Sequence, residues 1–400
     1  MIKSFAAVLL EVAIKICYGG PVLEPDALAK TLTLPVHEGF VTVKIDGQEI
    51  DLFLDSGYPG LSVMDGDWYE QKYGKGACTR RHAGCYFCPK EHPCDFEREE
   101  WFPTSFGVGS SIKSIIRSGL LVLDGQEATS YPFRVSRVTR WRGSSEPHGF
   151  FELSRVPPSS NYFYWGPDQS VVDSLLNHNL IGHLSFTLRT NTTQTADEVS
   201  GQLTLGETLA GAAAVKLDLV QIFHAPLPHR SLNTAWVSSV KLFDRKGNLL
   251  TKERTFNEHP GSFLALLDTG NLVTSLPSLH SVEDIGKKVE IALKNGSYSE
   301  EIANLLRRDE KGVLFVKEEA FDYLPVLGLR FGDAPYSFLA KIPPEHYCVR
   351  YPETGELRPL VMYANASTRE YPSILGTPFF RAYSVHVNYQ DHSMALLENV

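Results

Sequence analysis

The stretch EIDLFLDSGYPGLSV, residues 49–63, decides how this chain reads. Ile50, Leu52 and Leu54 recur at every second position, the period of a strand with one buried face. The strand runs into Asp55-Ser56-Gly57, where a glycine allows a tight bend and a close backbone approach. A second stretch, GSFLALLDTGNLVTSLP at 261–277, repeats the pattern and delivers Asp268-Thr269-Gly270. One such triplet marks an ordinary turn. Two, each closing an apolar strand in its own half of the chain, predict a weak internal two-fold repeat. The divide is expected near GETLAGAAAVKLD, 206–218.

The remaining sequence predicts an all-β protein. FVTVKIDGQEIDLFLDSG reads as strand, turn, strand, with Asp46-Gly47 suited to a two-residue hairpin. Further short strands are expected in SGLLVLDG, LSFTLRT, GQLTLGE, AWVSSVKLFD, KGNLLT, GVLFVKE and YSVHVNY. Helices are few. One is expected in DQSVVDSLLNHNLIG, capped by Asp168, and one in SEEIANLLRRDEKG, capped by Ser299 and ended near Gly312. A third starts after Pro277.

Composition bounds the function. The 400 residues suffice for two domains or one large two-lobed one. The hydrophobic share of 43% and charged share of 21% fit a globular protein. A net charge of −9 gives nucleic-acid binding no electrostatic support. No apolar run is long enough for a spanning helix. Residues 1–20 read either as a signal peptide or as an ordinary helix. Sequons at Asn191, Asn295 and Asn365 add weight to a secretory route. Cys78, Cys85, Cys88 and Cys94 cluster in a 76–94 insertion with His82 and His92. Two disulfides are the favoured reading, with three connectivities open, and zinc the alternative. Cys348 is expected to be a buried free thiol once Cys17 is lost with the leader.

Two aspartates brought face to face carry a definite chemistry. Carboxylates at hydrogen-bonding distance do not both ionise, so they share a proton and titrate as a pair. The charged member takes a proton from a water between them while the protonated member polarises a carbonyl. This predicts a peptide hydrolase that uses no cofactor and no metal.

On these motifs the chain resembles the pepsin-like aspartic peptidases over about residues 36–400. The hairpin ending in DSG, the strand AWVSSVKLFD, the helix and strands from DQSVVDSLL to GQLTLGE, and the C-terminal SILGTPFFRAYSVHVNYQDHSMALLENV occur in that family's order. The resemblance implies a bilobal β fold around a cleft, with lobes at 36–208 and 209–400. It implies Asp55 and Asp268 as catalytic residues, supported by Ser56, Gly57, Thr269 and Gly270. SFGVGSS would be the flap, with Phe106 at its tip beside Gly107 and Gly109. Tyr58 and Asn271 would line the cleft next to the dyad. A monomer acting on polypeptides in an extracellular or acidic vacuolar compartment follows.

Four departures from the family pattern stand out. Tyr58 replaces a small hydroxyl residue after the first motif. Phe106 replaces a flap tyrosine. Glu152, in HGFFELS, stands where the loop supporting the first aspartate has a glycine, and is expected to displace that loop. About 20 residues leave little room for a prosegment. Tyr58, Phe106 and Glu152 motivate the alternative of a catalytically silent binding protein, and the Cys/His insertion that of a zinc-dependent interaction module.

Overall fold

The computed structural model describes residues 30–80, 82–106, 109–142, 146–155, 170–191, 198–209, 215–219, 233–250, 262–276, 279–295, 305–309, 313–332, 337–351, 354–363 and 373–399. The possible leader, Gly107, Asp168, Ser299, Gly312 and Asn365 lie outside them.

The all-β expectation holds. In the strand Phe40–Ile45 the residues alternate between buried and exposed, and Gln48–Asp55 returns antiparallel to it. The turn between them is the expected Asp46-Gly47 pair, at φ +48° and +81°. Two consecutive positive φ angles give the backbone twist that two-residue hairpins need. Val41, Leu52 and Leu54 are each 0% exposed, and burial of such a side chain stabilises the fold by about 1.5–3 kcal/mol.

Each half contains the same local arrangement. In the first half, Gln48–Asp55 and Pro59–Asp65 flank Phe150–Leu153, which runs parallel to the former and antiparallel to the latter. In the second half, Phe263–Leu267 and Thr274–Leu276 flank Ser373–Leu375 with the same two directions. A later strand is thus inserted between the arms of each Asp-Ser/Thr-Gly loop. The first arrangement belongs to an eight-stranded sheet and the second to a seven-stranded one. A six-stranded antiparallel sheet joins the halves: Ser185–Thr190 pairs with Tyr383–Asn388. A four-stranded sheet holds Leu306–Arg308, Leu314–Val316, Leu357–Pro359 and Cys348–Arg350.

Three local expectations are corrected. The helix in DQSVVDSLLNHNLIG spans Val171–Asn177, and its N-cap is Ser170, whose side chain accepts the Asp173 N–H. In SEEIANLLRRDEKG, Leu305 is helical, but residues Leu306–Arg308 form a strand against Leu314–Val316. Cross-strand pairing there, with Arg307 reaching Glu356 at 2.7 Å, overrides the helical spacing of the leucines. KGNLLT contributes only a single bridge, Phe243 to Leu249, among its described residues. The helix after Pro277 is present as Leu279–Asn295.

The four clustered cysteines form Cys78–Cys85 and Cys88–Cys94 disulfides. All four thiols are consumed, so the pairing supplies no thiolate to a zinc site. Cys348 is buried and unpaired by disulfide, and burial pushes its thiol pKa up. No helix among the described residues is long and apolar enough to cross a membrane.

Candidate active site

The two Asp-Ser/Thr-Gly turns meet back to back. Ser56 N–H donates to Thr269 Oγ1 at 3.0 Å, and Thr269 N–H donates to Ser56 Oγ at 3.0 Å. Each hydroxyl then donates to the opposite strand, Ser56 Oγ to Leu267 O at 2.9 Å and Thr269 Oγ1 to Leu54 O at 2.8 Å. Ser56 is 0% and Thr269 2% exposed. Buried and fully engaged hydroxyls leave the loops one mutual orientation. This is the reason for a small hydroxyl residue between the aspartate and the glycine.

The glycines set the carboxyl positions. Gly57 N–H donates to Asp55 Oδ1 at 2.7 Å, and Gly270 N–H to Asp268 Oδ1 at 2.9 Å. A Cβ on Gly57 would lie 2.7 Å from Asp268 Cγ, and one on Gly270 would lie 2.7 Å from Asp55 Cγ. Only glycine lets each carboxyl group pack over the opposite turn.

The two carboxyl groups hydrogen-bond each other and are not equivalent. Burial, together with the neighbouring Asp55 charge, raises the Asp268 pKa well above the usual carboxylate range. Burial also raises that of Asp55, but the N–H groups of Gly57 and Tyr58, the Asp268 hydrogen bond and the Arg134 charge all oppose it. Burial thus raises both carboxyl groups, and the pair titrates as one unit that shares a proton.

Behind the dyad lies a relay that sequence reading missed. Asn233 Nδ2 donates to Ser56 O at 2.5 Å, and Tyr389 O–H lies 2.6 Å from Asn233 Oδ1. Asn233 directly precedes the strand Thr234–Phe243 and Tyr389 directly follows Tyr383–Asn388, 156 residues apart in sequence.

Tyr58 is 5% exposed. Its backbone N–H supports Asp55, while its side chain turns to the hairpin above. The ring lies 5.7 Å from that of Phe106, with Thr104 nearby. Thr104 belongs to the strand Phe102–Ser105 that leads into the SFGVGSS turn. Tyr58 thus meets the hairpin through its ring. Phe106 also packs 5.6 Å from Phe150, and its carbonyl accepts the Gly109 N–H at 2.9 Å. Gly109, at φ +79°, closes the turn. Tyr58→Phe keeps the ring and removes only the hydroxyl. Because the ring packing is retained, stability is expected to change by no more than about 1 kcal/mol, as read by chemical denaturation.

Asn271, expected to face the cleft, uses its side-chain oxygen within its own turn, accepting the Val273 N–H at 3.1 Å. His148 is a further residue that sequence reading passed over. It stacks between Phe53 at 4.9 Å and Phe150 at 4.8 Å, and burial pushes its pKa down to about 4.

Glu152 does not displace the loop. It sits in register beside Asp55 on one side and Gly60 on the other. Its carboxylate pairs with Arg134, and the two residues are 1% and 3% exposed. Room comes from Gly60, at φ +120°, where a Cβ would lie 2.7 Å from Arg134 Nη2 and 3.1 Å from Glu152 Oε2. In the second half the arrangement is reversed. Leu267 pairs with Leu375, so Gly376 follows beside Asp268. A Cβ on Gly376 would lie 2.3 Å from both Asn271 O and Val273 O.

No family model and no curated protein matches the sequence. Among solved structures, the chain is similar to the aspartic proteinase from Irpex lacteus, with a TM-score of 0.65 at 13% identity. The alignment covers 92% of this chain and 97% of that one. With its mostly β architecture, its repeated half-arrangements and this match, the chain has the bilobal pepsin-like acid-protease fold.

Proposed function

We propose that the protein is an aspartic-type endopeptidase. The observation that carries the reading is the geometry of the dyad: two equivalent turns locked together by the Ser56–Thr269 hydrogen bonds, each carboxyl group packed over the opposite glycine. Asp55 takes a proton from a water held between them, and that water attacks the peptide carbonyl. Asp268 gives its proton to the carbonyl oxygen as the tetrahedral intermediate forms. The proton gained by Asp55 then passes to the leaving nitrogen as the C–N bond breaks, and a hydroxyl of the intermediate returns its proton to Asp268 as the carbonyl re-forms. Ser56, Thr269, Gly57 and Gly270 hold the geometry, and the hairpin carrying Phe106 covers a polypeptide lying in the cleft between lobes 36–208 and 209–400.

The chemistry requires one proton on the pair, so activity belongs to acid pH. Two disulfides fit an oxidising compartment. Together these support action outside the cell or in an acidic vacuolar compartment, and we read the chain as a monomer there. The replacement of a small hydroxyl by Tyr58 favours one other reading, a silent pepsin-fold binding protein. Purified protein incubated with denatured polypeptide at acid pH separates the two: new fragments support the peptidase. Tight binding of a statine-type transition-state mimic without fragments supports the silent binder.

A further inference from the structure

The buried Arg134–Glu152 pair stands beside one aspartate only. Glu152 is the register neighbour of Asp55, whereas the position beside Asp268 is Gly376, where two carbonyl oxygens leave no space for a side chain. The charge pair is therefore an asymmetry built across the two-fold axis of the site. Its cationic end is tied to the loop that carries Asp55. Arg134 Nη2 donates to Pro59 O at 2.9 Å, the carbonyl next along the chain from Tyr58. The guanidinium also lies 5.9 Å from the centre of the Tyr58 ring. Tyr58 in turn donates its N–H to Asp55. Gly60 has given up its side chain, at a positive φ, to admit both charged groups.

Among the described residues, the titratable and charged groups facing Asp55 are few. They are Asp268 from the opposite turn, Tyr58 from its own loop, Arg134 from the strand Gln126–Arg140 and Glu152 from Phe150–Leu153. Arg134 is the only permanent cation of the four, and Glu152 offsets part of its field.

We propose that Arg134 and Glu152 are positioning residues for the dyad: they lock the Tyr58–Gly60 turn under Asp55 and bias the shared proton towards Asp268. The inference rests on the dyad assignment made above, and it is tested by a readout that does not need turnover. Carboxyl carbons of aspartate are labelled in the full chain, the dyad signals are identified through Asp55→Asn and Asp268→Asn, and their titration is followed by NMR.

Two variants shift the field in opposite directions. Glu152→Gln keeps an oxygen for Arg134 but leaves the cation uncompensated, so the lower titration of the dyad moves to lower pH. Arg134→Met with Glu152→Leu removes the pair, so the same titration moves to higher pH. Each shift is expected to be about one pH unit. If only one of the variants folds, it decides alone: a downward shift in Glu152→Gln or an upward shift in the double variant supports the proposal, and an unchanged titration overturns it. Shifts of the same sign in both variants also overturn it, because a merely space-filling pair has no reason to follow the sign of the charge. A wild type that titrates this way but cleaves nothing contradicts the peptidase reading and leaves the role of the pair standing.

Discussion

Asp55→Asn is expected to lower the rate of peptide cleavage by roughly 10²–10⁴-fold, the contribution of one positioned acid or base, and Asp268→Asn by a similar factor. The two losses arise differently. An amide at position 55 has no basic oxygen to take the proton from water. An amide at position 268 has no acidic proton to give to the substrate carbonyl. The measurement is the initial rate on a peptide substrate at acid pH, and a variant that retains full activity contradicts the assignment. Stability moves the other way for Asp268→Asn. Burial raises the pKa of Asp268 well above the usual range, so above about pH 4 the native protein holds a proton that the unfolded chain releases. Stability from this group is complete below the unfolded pKa and is lost as pH rises through the folded one. Asparagine does not titrate, so the variant is expected to gain stability relative to wild type as pH approaches neutrality. Thermal unfolding at acid and neutral pH reads this directly.

Breaking the buried ion pair is expected to be the most destabilising change at the site. Arg134→Met alone leaves Glu152 charged and unpartnered by its cation, and Glu152→Leu alone leaves Arg134 so. Loss of one partner of a buried pair costs about 3–5 kcal/mol. Replacing both by apolar residues removes the uncompensated charge and is expected to recover most of that loss. A double-mutant cycle by denaturant unfolding is the check. If the single changes cost no more than the double one, the pair is not holding the Tyr58–Gly60 turn.

Much of the fold was legible because strands write their burial into the sequence at period two. The alternation of Val41, Val43 and Ile45, the Asp46-Gly47 turn and the apolar approaches to both aspartates needed no tertiary information. The same holds for Ser56 and Thr269, whose hydroxyls are required between aspartate and glycine wherever two such turns interlock. What was hidden depends on register between distant strands. Glu152 looked incompatible with its position because its partner Arg134 and its accommodating Gly60 lie on two other strands, and only pairing brings the three together. The Asn233–Tyr389 relay was hidden for the same reason. Leu306–Arg308 was read as helix because the leucine spacing fits a helical face, while the hairpin that recruits it is specified by Leu314–Val316. Tyr58, a departure from the family pattern, finds its place only when Phe106 is seen against its ring.

The central claim is that Asp55 and Asp268 act as one proton-sharing unit that cleaves peptides. It is tested most directly by the pH dependence of cleavage of a denatured polypeptide by the purified wild type, with and without a statine-type mimic, beside Asp55→Asn. The account predicts fragments at acid pH that vanish at neutral pH, in the presence of the mimic and in the variant. Wild-type protein that binds the mimic at acid pH yet yields no fragments, or a variant that still cleaves, would contradict it.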